Sequence, residues 1–217
     1  MKTNTSRSRV FTVLFLSLAL AGSAVAPSAA RSAPGRSQFR VDAKKSRFIV
    51  ETETSGLSSM FAHDHKIEVG GFTGTASFVP GDLSTGTLEM TVRADSLKLL
   101  DESNIGQRQA VESALREDVL EASKYPEITF KTRITKASRR GDGTYDVRLT
   151  GDLRLHGVRK QMTIPARVSL DGGALHAIGT FEIKQTDFDI TPFSFVSGTV
   201  TIKDVVVLSF DLTADPV

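Results

Sequence analysis

Two histidines in the segment Phe61-Ala-His-Asp-His-Lys-Ile-Glu-Val69 have a spacing that could bind a metal ion. If the segment is extended, His63 and His65 lie on one face of the strand, because side chains alternate between faces. Two imidazoles placed in this way can bind one zinc ion, which needs at least one further protein ligand. The candidates for that ligand are His156, His176, Asp187 and Asp189. The alternative is that His63, His65 and Asp187 are polar residues at the mouth of a binding site, in contact with a ligand headgroup or a loop.

No other arrangement typical of catalysis is found in the sequence. The chain has no Cys, which excludes thiol chemistry and disulfides. No serine lies in a Gly-x-Ser-x-Gly motif between a strand and a helix. No Gly-rich phosphate loop precedes the predicted helix. The sequence therefore favours a non-enzymatic protein without a cofactor, and a metal carrier or metal-dependent enzyme that uses His63 and His65 is the alternative.

Composition excludes some classes of partner. The net charge is only +2, and Lys and Arg are interspersed with Asp and Glu. Because no basic stripe with interleaved aromatic residues is present, nucleic-acid binding is not expected. Phe is common at 13 residues, whereas Tyr occurs twice and Trp not at all. These aromatic residues almost all lack a polar group, so they suit a dry interior.

The first thirty residues have the pattern of a secretory signal peptide. Lys2, Arg7 and Arg9 are followed by an apolar run from Val10 to Ala21 and then by small residues. The run is too short to span a membrane. We expect residues 1–30 to be cleaved, 31–37 to form a flexible leader and 38–217 to fold as one domain. The mature protein is then periplasmic or secreted, without a lipoprotein Cys and without a stable membrane span.

Strict alternation of apolar and polar residues predicts a protein made mostly of β-strands. In the segment 87–95, Leu88, Met90 and Val92 alternate with charged residues and threonines, and the same period recurs in 47–53, 128–134, 147–155, 161–170 and 206–213. Such strands, separated by Gly-containing turns, indicate an antiparallel sandwich or barrel. Pro165 is expected at an edge or a bulge. A membrane-spanning barrel is disfavoured because its aromatic girdles of Trp and Tyr are nearly missing.

One segment, from Asp101 to Ala122, has helical spacing instead. Ile105, Val111, Leu115 and Val119 fall near one face, and Ser103 or Asn104 can serve as the N-cap. Pro126 disfavours helical backbone at the preceding residue. We expect one amphipathic helix that covers the end of a barrel or packs beside it.

Several segments occur in an order that resembles the YceI-like family of secreted bacterial lipid-binding proteins. They are Gly70-Gly-Phe-Thr-Gly-Thr-Ala-Ser-Phe78, Lys124-Tyr-Pro-Glu-Ile-Thr-Phe130, Leu153-Arg-Leu-His-Gly-Val-Arg159 and Thr186-Asp-Phe188. The resemblance implies an all-β fold with one inserted helix, an extended lipocalin-like antiparallel barrel of about eight strands. It also implies that the interior holds a polyisoprenoid, an isoprenoid quinone or another lipid, for a carrier, sequestration or stress role. The protein is then a monomer or homodimer whose partner is that lipid.

An eight-stranded barrel is just wide enough to be filled by its own side chains or to hold one slim ligand. The inward positions that we expect to contact such a ligand are Leu88, Met90, Val92, Ala94, Phe130, Ile134, Leu149, Ile164, Val168, Leu208 and Phe210. The alternative for each of them is a place in a solid core. One segment, Gln185-Thr-Asp-Phe-Asp189, departs from the family, which often has Arg-x-Asp-Phe-Gly there. We therefore do not expect Gln185 to make the basic contact to a headgroup that the family's Arg could make.

Overall fold

The computed structural model describes residues 35–55, 65–100, 104–141, 143–195 and 200–217. The predicted signal peptide, most of the predicted leader and His63 lie outside these residues. Within the described residues the chain forms fourteen strands and one α-helix. They are β1 (Ser37–Val41), β2 (Arg47–Thr52), β3 (Thr54–Ser55), β4 (His65–Val69), β5 (Phe72–Val79), β6 (Asp82–Arg93), β7 (Leu97–Leu99), α1 (Ile105–Ala114), β8 (Glu127–Arg139), β9 (Tyr145–Leu155), β10 (Val158–Asp171), β11 (Ala174–Lys184), β12 (Ser194–Phe195), β13 (Val200–Ile202) and β14 (Val205–Pro216).

Eight antiparallel strands form a closed ring in the order β1-β5-β6-β8-β9-β10-β11-β14. The ring closes because β1 pairs with β5 on one side and with the end of β14 on the other, where Phe39 lies opposite Pro216. Closure removes the exposed strand edges that an open sheet would carry. The prediction of an antiparallel barrel of about eight strands with one helix is confirmed.

Three further strands lengthen the barrel at one end. The first half of β14 pairs with β2 through residues 207–211, β2 pairs with β4, and β4 pairs with β7. A separate small sheet has the strand order β12-β13-β3, and its strand β13 immediately precedes β14 in the sequence. The strand β14 therefore supports both the closed ring and its extension.

The helix α1 lies against β7, on the side away from β4. It begins after Asn104, whose Oδ1 accepts a hydrogen bond from the Gln107 backbone N–H at 3.2 Å, so Asn104 is the N-cap, one of the two caps predicted. Glu112 Oε1 accepts a hydrogen bond from the Leu99 backbone N–H at 2.8 Å. It acts as the acceptor that a carbonyl of a further strand would otherwise provide. None of the described helices is long and apolar enough to cross a membrane.

The helical segment is shorter than the predicted range, and one of the four residues predicted on its inner face is exposed. α1 continues into a π-helical turn, Leu115–Val119, and ends before Glu121, which has a left-handed φ of 43°. Pro126 therefore lies well beyond the end of the helix. Leu115 and Val119 point to the barrel interior as expected, but Ile105 is 67 % exposed. Ile105 lies in the first helical turn, at the far end of α1 from the residues that reach the interior.

The barrel wall has two irregular regions, one in β8 and one between β10 and β11. The register of β8 shifts between Ile134 and Lys136, which places Thr135 in a bulge. The ladder between β10 and β11 covers only residues 167–171 and 174–178, whereas the ladder between β10 and β9 continues back to Val158. Pro165 lies just beyond the point where the β11 ladder ends. It has the edge-like position expected for a residue without a backbone N–H.

Candidate functional site

An apolar cavity lies inside the barrel, at the end that β2, β4, β7 and the π-helical turn extend. Its volume is about 180 Å³. All the described lining residues are apolar except Thr52 and Gln185. They are Phe48, Val50, Thr52, Ile67, Val69, Leu88, Met90, Val92, Leu97, Leu115, Val119, Leu120, Ile128, Phe130, Leu149, Leu153, Leu155, Ile164, Phe181, Ile183, Gln185, Ile190, Val206, Leu208, Phe210 and Leu212.

The opposite end of the barrel is filled by side chains. The rings of Phe39 and Phe78 stack with their centroids 5.4 Å apart and their planes 6° from parallel. Val41 and Ala214 are buried in the same cluster. The barrel is therefore solid at the end where β1 and β14 close it and hollow at the other.

Eight of the eleven interior residues predicted from the sequence line the cavity. They are Leu88, Met90, Val92, Phe130, Leu149, Ile164, Leu208 and Phe210. The alternation of each strand aims these side chains inward, since residues two apart share a face of the sheet. Whether they contact a ligand stays a prediction.

The remaining three predicted residues, Ala94, Ile134 and Val168, are not among the residues that line the cavity, and their contact with a ligand also stays a prediction. Ala94 is only 1 % exposed, but it lies in a 3-10 turn after β6 and packs in the cluster that contains Leu120 and Phe188. Ile134 and Val168 pack with a cluster of β9 and β10 residues instead. Alternation separates inward from outward positions but carries no information on whether an inward residue meets a void or another side chain.

Several lining residues come from segments that the alternation rule does not cover. Leu115 and Val119 belong to the helical segment, where spacing at four residues did predict a shared inward face. Ile190 follows the 3-10 turn Gln185–Phe188 in a segment without regular periodicity. No pattern in the sequence marks Ile190 as a lining residue.

Gln185 is one of the two polar lining residues and is held in place by the chain around it. Its side chain is 8 % exposed, and its Nε2 donates a hydrogen bond to the Lys203 carbonyl at 2.9 Å. Its backbone N–H donates to the Asp204 carbonyl at 2.9 Å. Because a buried amide left without partners is costly, these bonds explain how a polar residue persists beside the cavity.

The 3-10 turn that carries Gln185 is anchored by Asp204. The Asp204 carboxylate accepts hydrogen bonds from the Thr186 backbone N–H at 2.9 Å and from the Thr186 hydroxyl at 2.7 Å. The backbone bond is the main cause that lowers the pKa of Asp204 below its ordinary value, and the hydroxyl bond adds to it. The ionised carboxylate therefore stabilises the turn beside the cavity.

The candidate metal ligands are dispersed. His65 is the first residue of β4 and is half-buried on the face of Ile67, and His63 lies outside the described residues. His156 Nδ1 lies 3.2 Å from the Phe188 carbonyl oxygen, and its Nε2 lies 3.3 Å from Glu121 Oε2. His176 Nε2 lies 2.6 Å from Asp211 Oδ1 on the outer face. Among the described residues, no three His, Cys, Asp or Glu side chains are grouped so that they could hold a metal ion.

Asp187 and Asp189 are exposed and are not among the residues that line the cavity. The Oδ1 of Asp187 accepts a hydrogen bond from Lys160 Nζ at 2.8 Å, and its contact with a ligand headgroup stays a prediction. Asp189 has a left-handed φ of 56°, at the position where the family often has Gly. Asp is one of the few other residues that adopt this conformation readily, which explains why the departure is compatible with the turn.

Comparison with known proteins agrees with this architecture. Residues 39–214 match the model of the YceI-like domain. The UPF0312 protein VPA0850 of Vibrio parahaemolyticus is 31 % identical over 160 residues, which cover 68 % of this chain and 79 % of that protein. A UPF0312 protein of Shewanella denitrificans is 30 % identical over 156 residues, which cover 66 % of this chain and 76 % of that protein.

Two solved structures share the fold. BcnA of Burkholderia cenocepacia superposes with a TM-score of 0.60 at 22 % identity, over 80 % of this chain and 98 % of that one. A polyisoprenoid-binding domain from Saccharophagus degradans, implicated in plant cell wall breakdown, superposes with a TM-score of 0.59 at 14 % identity, over 82 % of this chain and 98 % of that one. With the family model matched along nearly the whole barrel, the chain belongs to the YceI-like domain family.

Proposed function

We propose that this protein binds one long apolar lipid of the isoprenoid type in the barrel cavity. The observation that carries the proposal is the cavity itself, whose described lining is apolar except for Thr52 and Gln185. Lipid binding by a structural relative of the same fold, the polyisoprenoid-binding domain from Saccharophagus degradans, supports it further.

The lining favours an apolar chain over a polar small molecule. A polar group moved from water into such a cavity loses its hydrogen bonds to solvent, whereas an apolar chain gains about 25 cal/mol for each Å² it removes from water. The cavity volume of about 180 Å³ is below the range of about 300–1,000 Å³ typical of ligand pockets, so it suits a slim chain. An unbranched or methyl-branched chain fits the description better than a compact ring system because the site runs along the inside of a barrel.

We propose that the cavity binds its ligand without catalysing a reaction. Among the described lining residues there is no carboxylate, imidazole or amine that could act as an acid, base or nucleophile. No observation in the described residues favours the metal-dependent alternative. We further propose that the protein is exported and acts as a periplasmic or secreted carrier, as a sequestering protein or in a stress response.

The proposal is tested by filling the cavity with a side chain. Val92→Trp projects a large ring from a lining position of β6, and Arg93→Trp, on the outward face of the same strand, is the matched control. Lipid is extracted from each purified protein and identified by mass spectrometry, and thermal unfolding is recorded in parallel. We expect lipid in the wild type and in Arg93→Trp, and little or none in Val92→Trp with the fold retained.

A solid interior gives a different pattern. In that case Val92→Trp overpacks the core and costs about 1–3 kcal/mol of stability. Such a loss, together with a wild-type protein that carries no lipid and binds no added geranylgeraniol, would rule out the proposed function.

A further inference from the structure

Thr52 is a buried polar residue of the cavity lining whose hydroxyl is not used by the protein. It is the last residue of β2, is 8 % exposed and lines the cavity. Its Oγ1 is shielded from solvent and has no hydrogen-bond partner among the described residues. Nearly all buried polar groups in folded proteins do have such a partner. The hydroxyl therefore has a hydrogen bond to offer to an atom of a ligand in the cavity.

Gln185 is the second polar residue of the lining, and the protein uses only part of its side-chain amide. The Nε2 donates one hydrogen bond, to the Lys203 carbonyl at 2.9 Å. The amide also has a second N–H and a carbonyl oxygen. No described residue donates a hydrogen bond to that oxygen, Oε1. Gln185 can therefore accept a hydrogen bond from a ligand while its bond to Lys203 holds the side chain in place.

Thr52 and Gln185 lie on either side of one backbone segment. The Lys203 N–H donates a hydrogen bond to the carbonyl of Glu53, the residue after Thr52, at 2.8 Å, and the Lys203 carbonyl accepts the bond from Gln185. β14, which follows this segment, pairs with β2 on one side and with β11 on the other. Two strands that share a neighbour lie about 10 Å apart. Because inward side chains of a barrel converge, one small headgroup can contact both residues.

The two polar residues lie at one end of the cavity, at the start of β14. From there, Val206, Leu208, Phe210 and Leu212 line the cavity at every second position of β14. At about 3.4 Å per residue, these positions extend over about 20 Å. They lead towards the end of the barrel that the stacked phenylalanine rings fill. A chain that lies along β14 therefore meets polar side chains at one end only.

We propose that Thr52 and Gln185 bind the headgroup of the lipid and that this headgroup is an uncharged hydrogen-bonding group such as a hydroxyl. A hydroxyl can donate to Gln185 Oε1 and can accept from the Thr52 O–H. The tail then runs along β14 towards the filled end. A phosphate or carboxylate is disfavoured, because the described lining has no cationic side chain and an unpaired charge is costly to bury. The headgroup site rests on the proposed function, since the tail occupies the same cavity.

Three lipids with the same tail test the headgroup site. They are geranylgeraniol, its deoxy hydrocarbon and geranylgeranyl phosphate. Each purified protein is equilibrated with an excess of phosphatidylcholine vesicles that contain all three in equal amounts. Bound lipid is then extracted and quantified by mass spectrometry. The ratios of bound lipids are compared between proteins, which removes the effect of the different partition of the three lipids into the vesicles.

Thr52→Val removes the hydroxyl and keeps the branched shape of the side chain. We expect the ratio of bound alcohol to bound hydrocarbon to fall about two- to tenfold from the wild-type ratio, as for one lost hydrogen bond. The unfolding temperature without added lipid should be unchanged or higher, because the hydroxyl has no described partner to lose. The matched control is Thr132→Val, since Thr132 is also 8 % exposed but is not a lining residue. It should keep the wild-type ratio.

Gln185→Arg places a cation at the same site. We expect it to raise the ratio of bound phosphate to bound alcohol at least about tenfold over the wild-type ratio, because a guanidinium forms charge-assisted hydrogen bonds with a phosphate. An unchanged ratio in a folded Gln185→Arg protein would overturn the contact of Gln185 with the headgroup. Thr52→Val decides the site alone if Gln185→Arg does not fold.

The outcomes separate the headgroup site from the lipid cavity. An alcohol-to-hydrocarbon ratio that Thr52→Val leaves unchanged would overturn the headgroup site and leave the cavity standing. A Thr52→Val protein that unfolds well below the wild-type temperature would do the same, because the hydroxyl would then have a structural partner. Uptake of the phosphate by the wild type as readily as the alcohol would overturn the uncharged headgroup. A wild type that binds none of the three lipids would overturn both proposals.

Discussion

Leu149 shows how the cost of a substitution depends on the face of a strand. Its side chain is 7 % exposed and packs in the cluster of Val147 and Ile164, whereas Arg154 on the same strand points to solvent. We expect Leu149→Ala to lower the free energy of unfolding by about 2–5 kcal/mol, the usual cost of truncating a large buried side chain. Arg154→Ala should change it by less than about 0.5 kcal/mol. Urea unfolding of both variants measures the difference, and equal losses would contradict the assigned faces of β9.

Asp204 gives a prediction for the dependence of stability on pH. The carboxyl accepts the Thr186 N–H only in the folded state, so its folded pKa lies below its unfolded pKa. The bond therefore stabilises the fold at pH values above the unfolded pKa, and this stabilisation is lost as the pH falls through the folded pKa. We expect Asp204→Asn to be less stable than the wild type at pH 7 and the difference to shrink below about pH 4.

The measurement is urea unfolding at pH 7, 5 and 3, with Asp171→Asn at the end of β10 as a control. A deficit of Asp204→Asn that stays the same from pH 7 to pH 3 would mean that the charge of the carboxylate does not matter.

At the residue scale, the sequence predicted the face on which a side chain lies better than it predicted which residues that side chain contacts. Alternation placed Met90 and Leu149 inside correctly because the period of a strand is fixed by its geometry. It treated Val168 in the same way, although Val168 lies in the filled part of the barrel. Whether an inward side chain meets a void or a packed core depends on residues from several strands. The sequence of one strand therefore does not show it.

At the scale of elements, the contact between α1 and β7 makes a specific prediction. Glu112→Ala leaves the partly buried Leu99 N–H without its acceptor, at a cost of about 1–3 kcal/mol. Glu112→Gln keeps a carbonyl acceptor and should lose less. We expect amide hydrogen exchange at Leu99 to become at least about tenfold faster in Glu112→Ala.

The control for this contact is Glu117→Ala. Glu117 lies on the same helical segment, but its carboxylate bonds to Ser113 and Arg116 of that segment rather than to a strand. Exchange at Leu99 that responds equally to both substitutions would contradict a role of Glu112 in holding the helix to β7.

Element types followed from the sequence more reliably than their irregularities. The change of period after Asp101 indicated the helix, and Asn104 was among its predicted caps. The bulge at Thr135 was not predicted, because one extra residue in a strand leaves no mark in composition. The end of the ladder between β10 and β11 was indicated only through Pro165, whose missing N–H signalled an interrupted ladder without showing with which neighbour.

At the scale of the whole molecule, the N-terminal pattern predicts export. We expect the mature protein, recovered from the periplasm or the medium, to begin between Val25 and Ala33. Intact mass measurement gives the cleavage site. The variant Leu16→Arg/Leu18→Arg, which interrupts the apolar run with charge, should stay in the cytoplasm at full length. A full-length wild-type chain retained in the cytoplasm would contradict the prediction.

Most of the overall architecture could be predicted from the sequence because its strands, turns and helix occur in an order that resembles a known family. Periodicity alone left a sandwich and a barrel equally open, since both are made of alternating strands. The choice between them depends on whether the first and last strands pair. That pairing, between β1 and β14, is long-range information that no local pattern carries.

The same pairing has a consequence for the order of folding. β14 completes three ladders, with β11, β2 and β1, so these strands all have an unpaired edge until β14 is in place. Contacts between residues so distant in sequence form slowly, because a long loop must close first. Unpaired edges are templates for association with other chains. The interval before β14 docks is therefore the stage of biogenesis at which this chain most needs protection from aggregation.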